Sequence, residues 1–241
     1  MPELSSLLIA GLAVACGACL QGTIGFGLGL LATPIVALVD PAFVPGPLIM
    51  VAGLLTLLVL ARDRAHVDLG GVGWALVGRV PGTVVGAFAV ATLPERPLLI
   101  TLGLLILLGV AMSVAGWVVG RSARMLLLAG ALSGVMATAA SIGGPPMALA
   151  YQDESGPTLR GTLSAFFLVG SALSITSLVA FGEFGRPELV TSLLLVPFML
   201  VGGALSPLAT RRLDPRRTRA TVLAISALSA TLLLIREVAS F

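Results

Sequence analysis

Apolar residues run along this chain in blocks close to the length a helix needs to cross a bilayer, about 20 residues at ~1.5 Å each. The first block, Leu4 to Leu20, ends in the glycine-rich stretch Gln21-Gly22-Thr23-Ile24-Gly25-Phe26-Gly27-Leu28-Gly29, and a piece from Leu28 to Val39 follows. Pro45 to Ala61, Gly71 to Leu93 and Leu98 to Val119 complete one series. A second series repeats the scheme: Met125 to Ala140, a break at Ser141-Ile142-Gly143-Gly144-Pro145-Pro146 with a short piece to Tyr151, then Gly161 to Phe181, Pro187 to Thr210 and Thr218 to Val238. The links are short and hold most of the charges, as in Leu93-Pro94-Glu95-Arg96-Pro97, Asp153-Glu154-Ser155-Gly156-Pro157 and Leu213-Asp214-Pro215-Arg216. This pattern predicts an all-α polytopic membrane protein without a soluble domain.

Two short matches indicate duplication. Thr23-Ile24-Gly25 aligns with Ser141-Ile142-Gly143 at an offset of 118 residues, and Val80-Pro81 with Gly86 aligns with Val196-Pro197 with Gly202 at an offset of 116. Each lies in a comparable apolar run, which predicts a first membrane repeat over residues 1–120 and a second over 121–241.

Composition agrees with the membrane reading: 57% hydrophobic and 10% charged residues and a mean hydropathy of +1.09, where a soluble domain carries roughly a quarter charged residues. All fourteen basic positions are arginine. The eleven acids fall near the ends of apolar runs, and the single histidine, His66, sits in the charged stretch Arg62 to Asp68. No nucleic-acid partner, metal or cofactor is expected. Cys16 and Cys19, the only cysteines, lack a histidine or further cysteine to complete a metal site and are read as small helix-packing residues; contact of these thiols with a sulfur-containing substrate is the alternative. The opening has Glu3 instead of basic residues before its apolar core and no convincing cleavage site, so it is read as mature chain.

Arginines gather in cytoplasmic loops. With four full crossings in each half they divide almost evenly between the two sides. With each broken segment dipping in and returning to its own side, three full crossings remain per half, and ten arginines (62, 64, 121, 124, 160, 211, 212, 216, 217 and 219) share one face against Arg96, Arg186 and Arg236. The second arrangement is the expectation: two inverted repeats, each a re-entrant hairpin plus three transmembrane helices, with both termini outside the cytoplasm.

A helix interrupted in mid-membrane exposes unpaired amides at its N-terminal end, and these attract anions. The first break offers Gln21, Gly22, Thr23, Gly25, Phe26 and Gly27, with the Gly25 to Gly27 amides and the Thr23 hydroxyl as donors. The second offers Ser141, Ile142, Gly143, Gly144 and Pro145, with the Ile142 to Gly144 amides and the Ser141 hydroxyl. Arg79 is the one ionisable residue well inside a full crossing, and its counterpart at offset 116 is Leu195. A cation without a buried acid fits an anion path, while a position about eight residues from the helix start nearly allows its side chain to snorkel to the interface. No intramembrane Asp or Glu offers a proton site, so a coupled proton would ride on the substrate or on water. Sulfite-like anions titrate near neutrality.

Gln21 to Pro34, the echo Ser141-Ile142-Gly143-Gly144-Pro145-Pro146 and the duplicated layout together resemble the TauE/SafE (TSUP) family of membrane transporters over essentially the whole chain. The resemblance implies a multi-pass protein of a bacterial inner membrane that moves small sulfur-containing anions such as sulfite, thiosulfate or organosulfonates. A secondary transporter working by alternating access is the leading reading, with a channel as the nearest alternative and a non-transporting membrane subunit as another. An enzyme is not expected, because no acid–histidine pair reaches Ser141. The expected partners are a small anionic substrate and the lipid bilayer. The topology has a direct measurement: in a cysteine-free background, Thr218→Cys is expected to resist a membrane-impermeant thiol reagent in intact cells and to react after permeabilisation.

Overall fold

The computed structural model describes residues 3–115, 120–154, 156–212 and 214–239. Among them are ten α-helices: α1 (Leu4–Ile24), α2 (Leu28–Val39), α3 (Gly46–Asp63), α4 (Leu69–Thr92), α5 (Glu95–Val114), α6 (Ala123–Ala140), α7 (Gly144–Ala150), α8 (Gly156–Ala180), α9 (Arg186–Arg212) and α10 (Pro215–Ala239). Eight are long and apolar enough to cross a membrane; α2 and α7, with 12 and 7 residues, are not. The chain is a multi-pass α-helical membrane protein. Residues 116–119, where the Leu98 to Val119 run was expected to end, lie outside the described residues, as do Ser155 and Leu213 in two of the links.

Several boundaries differ from expectation; α8, for one, starts at Gly156 instead of Gly161. α1 continues beyond Leu20 through Gln21, Gly22 and Thr23 to Ile24. The Thr23 hydroxyl donates back to the carbonyls of Cys19 and Leu20 at 2.8 and 2.6 Å, and Gly22 fits against Ser206 of α9, where a Cβ would collide. The helix stops at Gly25, whose φ of 93° forms a left-handed cap with its amide on the Gln21 carbonyl, and Gly27 follows at φ 126°. Both values lie where side chains other than glycine are strained.

Small residues bring the long helices together. On the α4–α6 contact, a Cβ at Gly78, Gly82 or Gly130 would overlap the carbonyls of Leu127, Ala131 and Ala75 respectively. These pairs keep step, so α4 and α6 run parallel. α1 and α9 also run parallel, with Gly11 against Phe198, Ala15 against Gly202 and Gly22 against Ser206. α3 and α8 run antiparallel, as Gly53 meets Ser171 and Gly161 meets Asp63. α5 and α10 do likewise, Arg96 reaching the Glu237 carbonyl while Arg219 reaches that of Ser113. In membranes such close backbone approach supplies the dispersion contacts that hydrophobic exclusion supplies in water.

The contacts also sort the two ends of the bundle. At one end, Arg62 donates to the Gly22 carbonyl at 3.0 Å, Arg160 pairs with Asp63 at 2.8 Å, and Arg121 pairs with Glu154 at 3.0 Å. At the other, Arg236 donates to the Leu38 carbonyl at 2.9 Å and the Phe88 and Phe181 rings meet edge to face. α1 therefore ends at the arginine-rich end, and α2 carries the chain back from mid-depth to the opposite one. α6 starts at the arginine-rich end, and α7 returns to it, where Tyr151 donates to Asp68 at 3.0 Å. Burial and that bond push the Tyr151 hydroxyl above its ordinary range, keeping it protonated as the donor.

Gly82→Ala is expected to lower stability by about 1–3 kcal/mol, because its methyl group has no room against α6. Gly73→Ala, whose added Cβ meets open space, is expected to leave the melting temperature of the purified protein unchanged or slightly higher.

Candidate functional site

The two breaks meet inside the bundle. Gly29, in the first turn of α2, lies against the Ser141 carbonyl so closely that a Cβ would overlap it, and the Phe26 ring covers Gly144. Where they meet there is a cavity of about 50 Å³. One water needs roughly 10–15 Å³, so the space holds a few waters or one small oxyanion. Gln21, Phe26, Gly27, Arg79, Ser141, Ile142, Gly143 and Gly144 line it together with residues of α2, α3 and α8.

Arg79 is the chemical centre of this wall. It lies ~15 Å along α4 from Leu69 by helical rise and is 1% exposed, so its side chain stays inside instead of snorkelling to the interface. The guanidinium donates from Nη1 to the Ser133 hydroxyl at 3.1 Å, and that hydroxyl donates onward to the Gly143 carbonyl at 2.7 Å. Its carbon sits 4.8 Å from the centre of the Phe166 ring. Gly170 of α8 makes the room, since any Cβ there would overlap the guanidinium. Among the described residues, Nε has no partner and no carboxylate pairs with Arg79. A charge at the centre of a membrane helix costs ~2.5–3.5 kcal/mol on insertion scales, while one cation–π contact returns about 2 kcal/mol when desolvated. The hydrogen bond to Ser133 adds to this.

The first break contributes through Gln21, which is buried and whose side-chain oxygen accepts from the Leu28 amide at 3.3 Å. That bond bridges the end of α1 to the start of α2 and leaves the carboxamide nitrogen as a donor. The first-turn amides of α2 add the positive end of a 12-residue helix. The second break contributes fewer amides than its sequence suggests. Those of Ser141 and Ile142 bond back to Ala137 and Met136, and Pro145 and Pro146 have none.

Four of the expected residues stand away from the cavity wall. The Gly22 carbonyl accepts from Arg62, the Thr23 hydroxyl is spent on its own helix, Gly25 abuts the backbone of Arg160, and Pro145 lines a separate, larger cavity. The Ser141 hydroxyl donates to the Pro45 carbonyl at 2.9 Å. Cys16 is exposed and Cys19 half-buried on α1; neither lines the central cavity. Ser133, Phe166, Phe167, Gly170 and Ser171 were not anticipated. A signal existed for the α8 face: at the 118-residue offset, Ser171 corresponds to Gly53 and Ser174 to Thr56, and Thr56 and Ser171 both line the cavity.

The larger cavity, about 470 Å³, is lined by Phe26, Pro145, Ser113, Glu154 and Arg219 among others. Phe26 belongs to both cavities. Its ring is the partition between the central space and a vestibule toward the arginine-rich end.

No curated protein and no solved structure matches this sequence. A family model described as "Sulfite exporter TauE/SafE" matches residues 9–233, the stretch that contains both breaks, Arg79 and nearly all of the helical bundle. The chain belongs to the sulfite exporter TauE/SafE family of membrane transporters.

Proposed function

We propose that this chain is a secondary transporter that carries small oxyanions of sulfur across the bacterial inner membrane by alternating access, with the arginine-rich end in the cytoplasm. The observation that carries the reading is Arg79: a fully buried guanidinium without a carboxylate partner among the described residues, beside a cavity of oxyanion size where two helix breaks meet. The proposed site comprises Gln21, Phe26, Gly27, Arg79, Ser141, Ile142, Gly143 and Gly144 at the wall, with Gly22, Thr23, Gly25 and Pro145 shaping the breaks behind it. Family membership supports transport of sulfite or a chemical relative, since the family description names a sulfite exporter.

The registers support inverted halves divided near residue 120. A two-fold axis in the membrane plane makes equivalent helices antiparallel, and α3 with α8 and α5 with α10 run that way. It also makes the α1–α9 contact the equivalent of α6–α4, and both are parallel. Rocking of one half against the other would then expose the meeting point of the breaks to each side in turn. Phe26, between the central cavity and the vestibule, is the natural barrier on the cytoplasmic side.

Arg79→Gln is expected to weaken sulfite binding roughly ten- to a hundredfold, the loss of one charge-assisted hydrogen bond, with insertion and melting temperature retained; unchanged binding would remove Arg79 from the site. In proteoliposomes, folded Phe26→Ala protein is expected to show faster passive sulfite flux and to lose accumulation against a gradient. The wild-type protein is expected to saturate and to accumulate sulfite; a flux proportional to concentration, without accumulation, is the signature of a channel.

A further inference from the structure

We propose that the species this site takes is a monoanion, so that a dibasic oxyanion such as sulfite is bound and carried in its singly protonated form. The proposal rests on the anion-site reading above and specifies the charge of the ligand. Its basis is the charge count around the cavity. Among the described residues lining it, Arg79 is the sole ionisable one. One unit of positive charge in a low-dielectric space is neutralised by one negative charge; a second would be buried without a counterion, which is strongly unfavourable.

Among the described residues, the elements around Arg79 contribute no further full charge at that depth. From α6 it meets Ser133, from α8 Phe166 and Gly170, and from the second break Gly143; α3 adds Thr56 to the wall. The titratable groups on these elements sit at their ends: Asp63 and Arg62 on α3, Asp68 before α4, Arg124 on α6 and Arg160 on α8. By helical rise they lie roughly 10 to 17 Å from the level of the site. Asp63 and Arg160 are already paired with each other, and Asp68 with Arg121. On α1, Cys16 and Cys19 are absent from the wall.

The other groups at the site favour the same ligand. The Arg79 guanidinium and the Gln21 carboxamide nitrogen donate to ionised oxygens, and the Phe26, Phe167, Ile142 and Leu30 side chains cover the remainder with apolar surface. A protonated or alkylated edge lies against that surface at far lower desolvation cost than a second ionised oxygen. The ligand class is therefore the hydrogen-oxyanion or the sulfonate. A bound hydrogensulfite brings its own proton, so proton movement needs no protein carboxylate: the proton and one negative charge cross together, and the proton dissociates on release into the more alkaline compartment.

The test is the pH dependence of binding to the purified full-length protein, measured by calorimetry for sulfite, methanesulfonate and sulfate from below to above the second ionisation of sulfite. Sulfite affinity is expected to fall about tenfold per pH unit above that ionisation, following the monoanion fraction. Methanesulfonate, singly charged throughout, is expected to bind with constant affinity and so controls for titration of the protein, and sulfate is expected to bind at least tenfold more weakly. Sulfite affinity that holds or rises with pH, or sulfate binding as tight as methanesulfonate, overturns the monoanion assignment while leaving the anion site in place. Absence of binding by all three, or binding unchanged in Arg79→Gln, overturns the assignment and the site together.

Discussion

An uncompensated guanidinium inside an apolar bundle is the constraint around which the rest of this molecule is arranged. Burying Arg79 without an acid is tolerable because three neighbouring elements each give something up for it. α8 gives the Cβ of residue 170, α6 gives the Ser133 hydroxyl, and the second break presents the Gly143 carbonyl to that hydroxyl. These positions are held by the α4–α6 contact, whose spacing depends on glycines at 78, 82 and 130. Helix packing and charge placement are thus one problem: loosening the glycine seam would move the arginine off its support.

The breaks are the other half of the arrangement. A chain in hydrocarbon can leave the helix only where its polar groups find partners. Here the partners are internal: Gln21 bridges to Leu28, Ser141 to Pro45, and the amides of Ser141 and Ile142 turn back onto α6. The two breaks are consequently unlike in chemistry although alike in position. The first retains donors and the positive end of α2. The second, with prolines at 145 and 146, contributes mainly shape and closeness.

Much of this was legible in the residues. α2 was bounded correctly at Leu28 and Val39 because strong breakers stand on both sides, Gly27 before it and Asp40-Pro41 after it. Arg79 stood out as a lone charge in an apolar run, but the residues alone left burial and snorkelling to the interface both open. The extension of α1 to Ile24 was not legible, since it depends on a threonine bonding backwards within its own turn and on α9 seating Gly22. Tertiary packing there overrides glycine's weak helix propensity. Ser133, Phe166 and Ser171 were hidden for a different reason: hydroxyls and aromatic rings are ordinary in membrane helices, and what makes these matter is which of them face Arg79.

If the chain is the pair of inverted repeats proposed above, the presence of Leu195 at the place equivalent to Arg79 has a further consequence. Leu195 is fully buried in an apolar cluster with Val14, Leu28 and Leu55. A homodimer of first halves would put two guanidiniums into one small cavity, and a homodimer of second halves would put none there. A single cation at the centre of a twofold assembly requires two different halves. On that reading, carrying both halves in one polypeptide fixes a single cation at the proposed site.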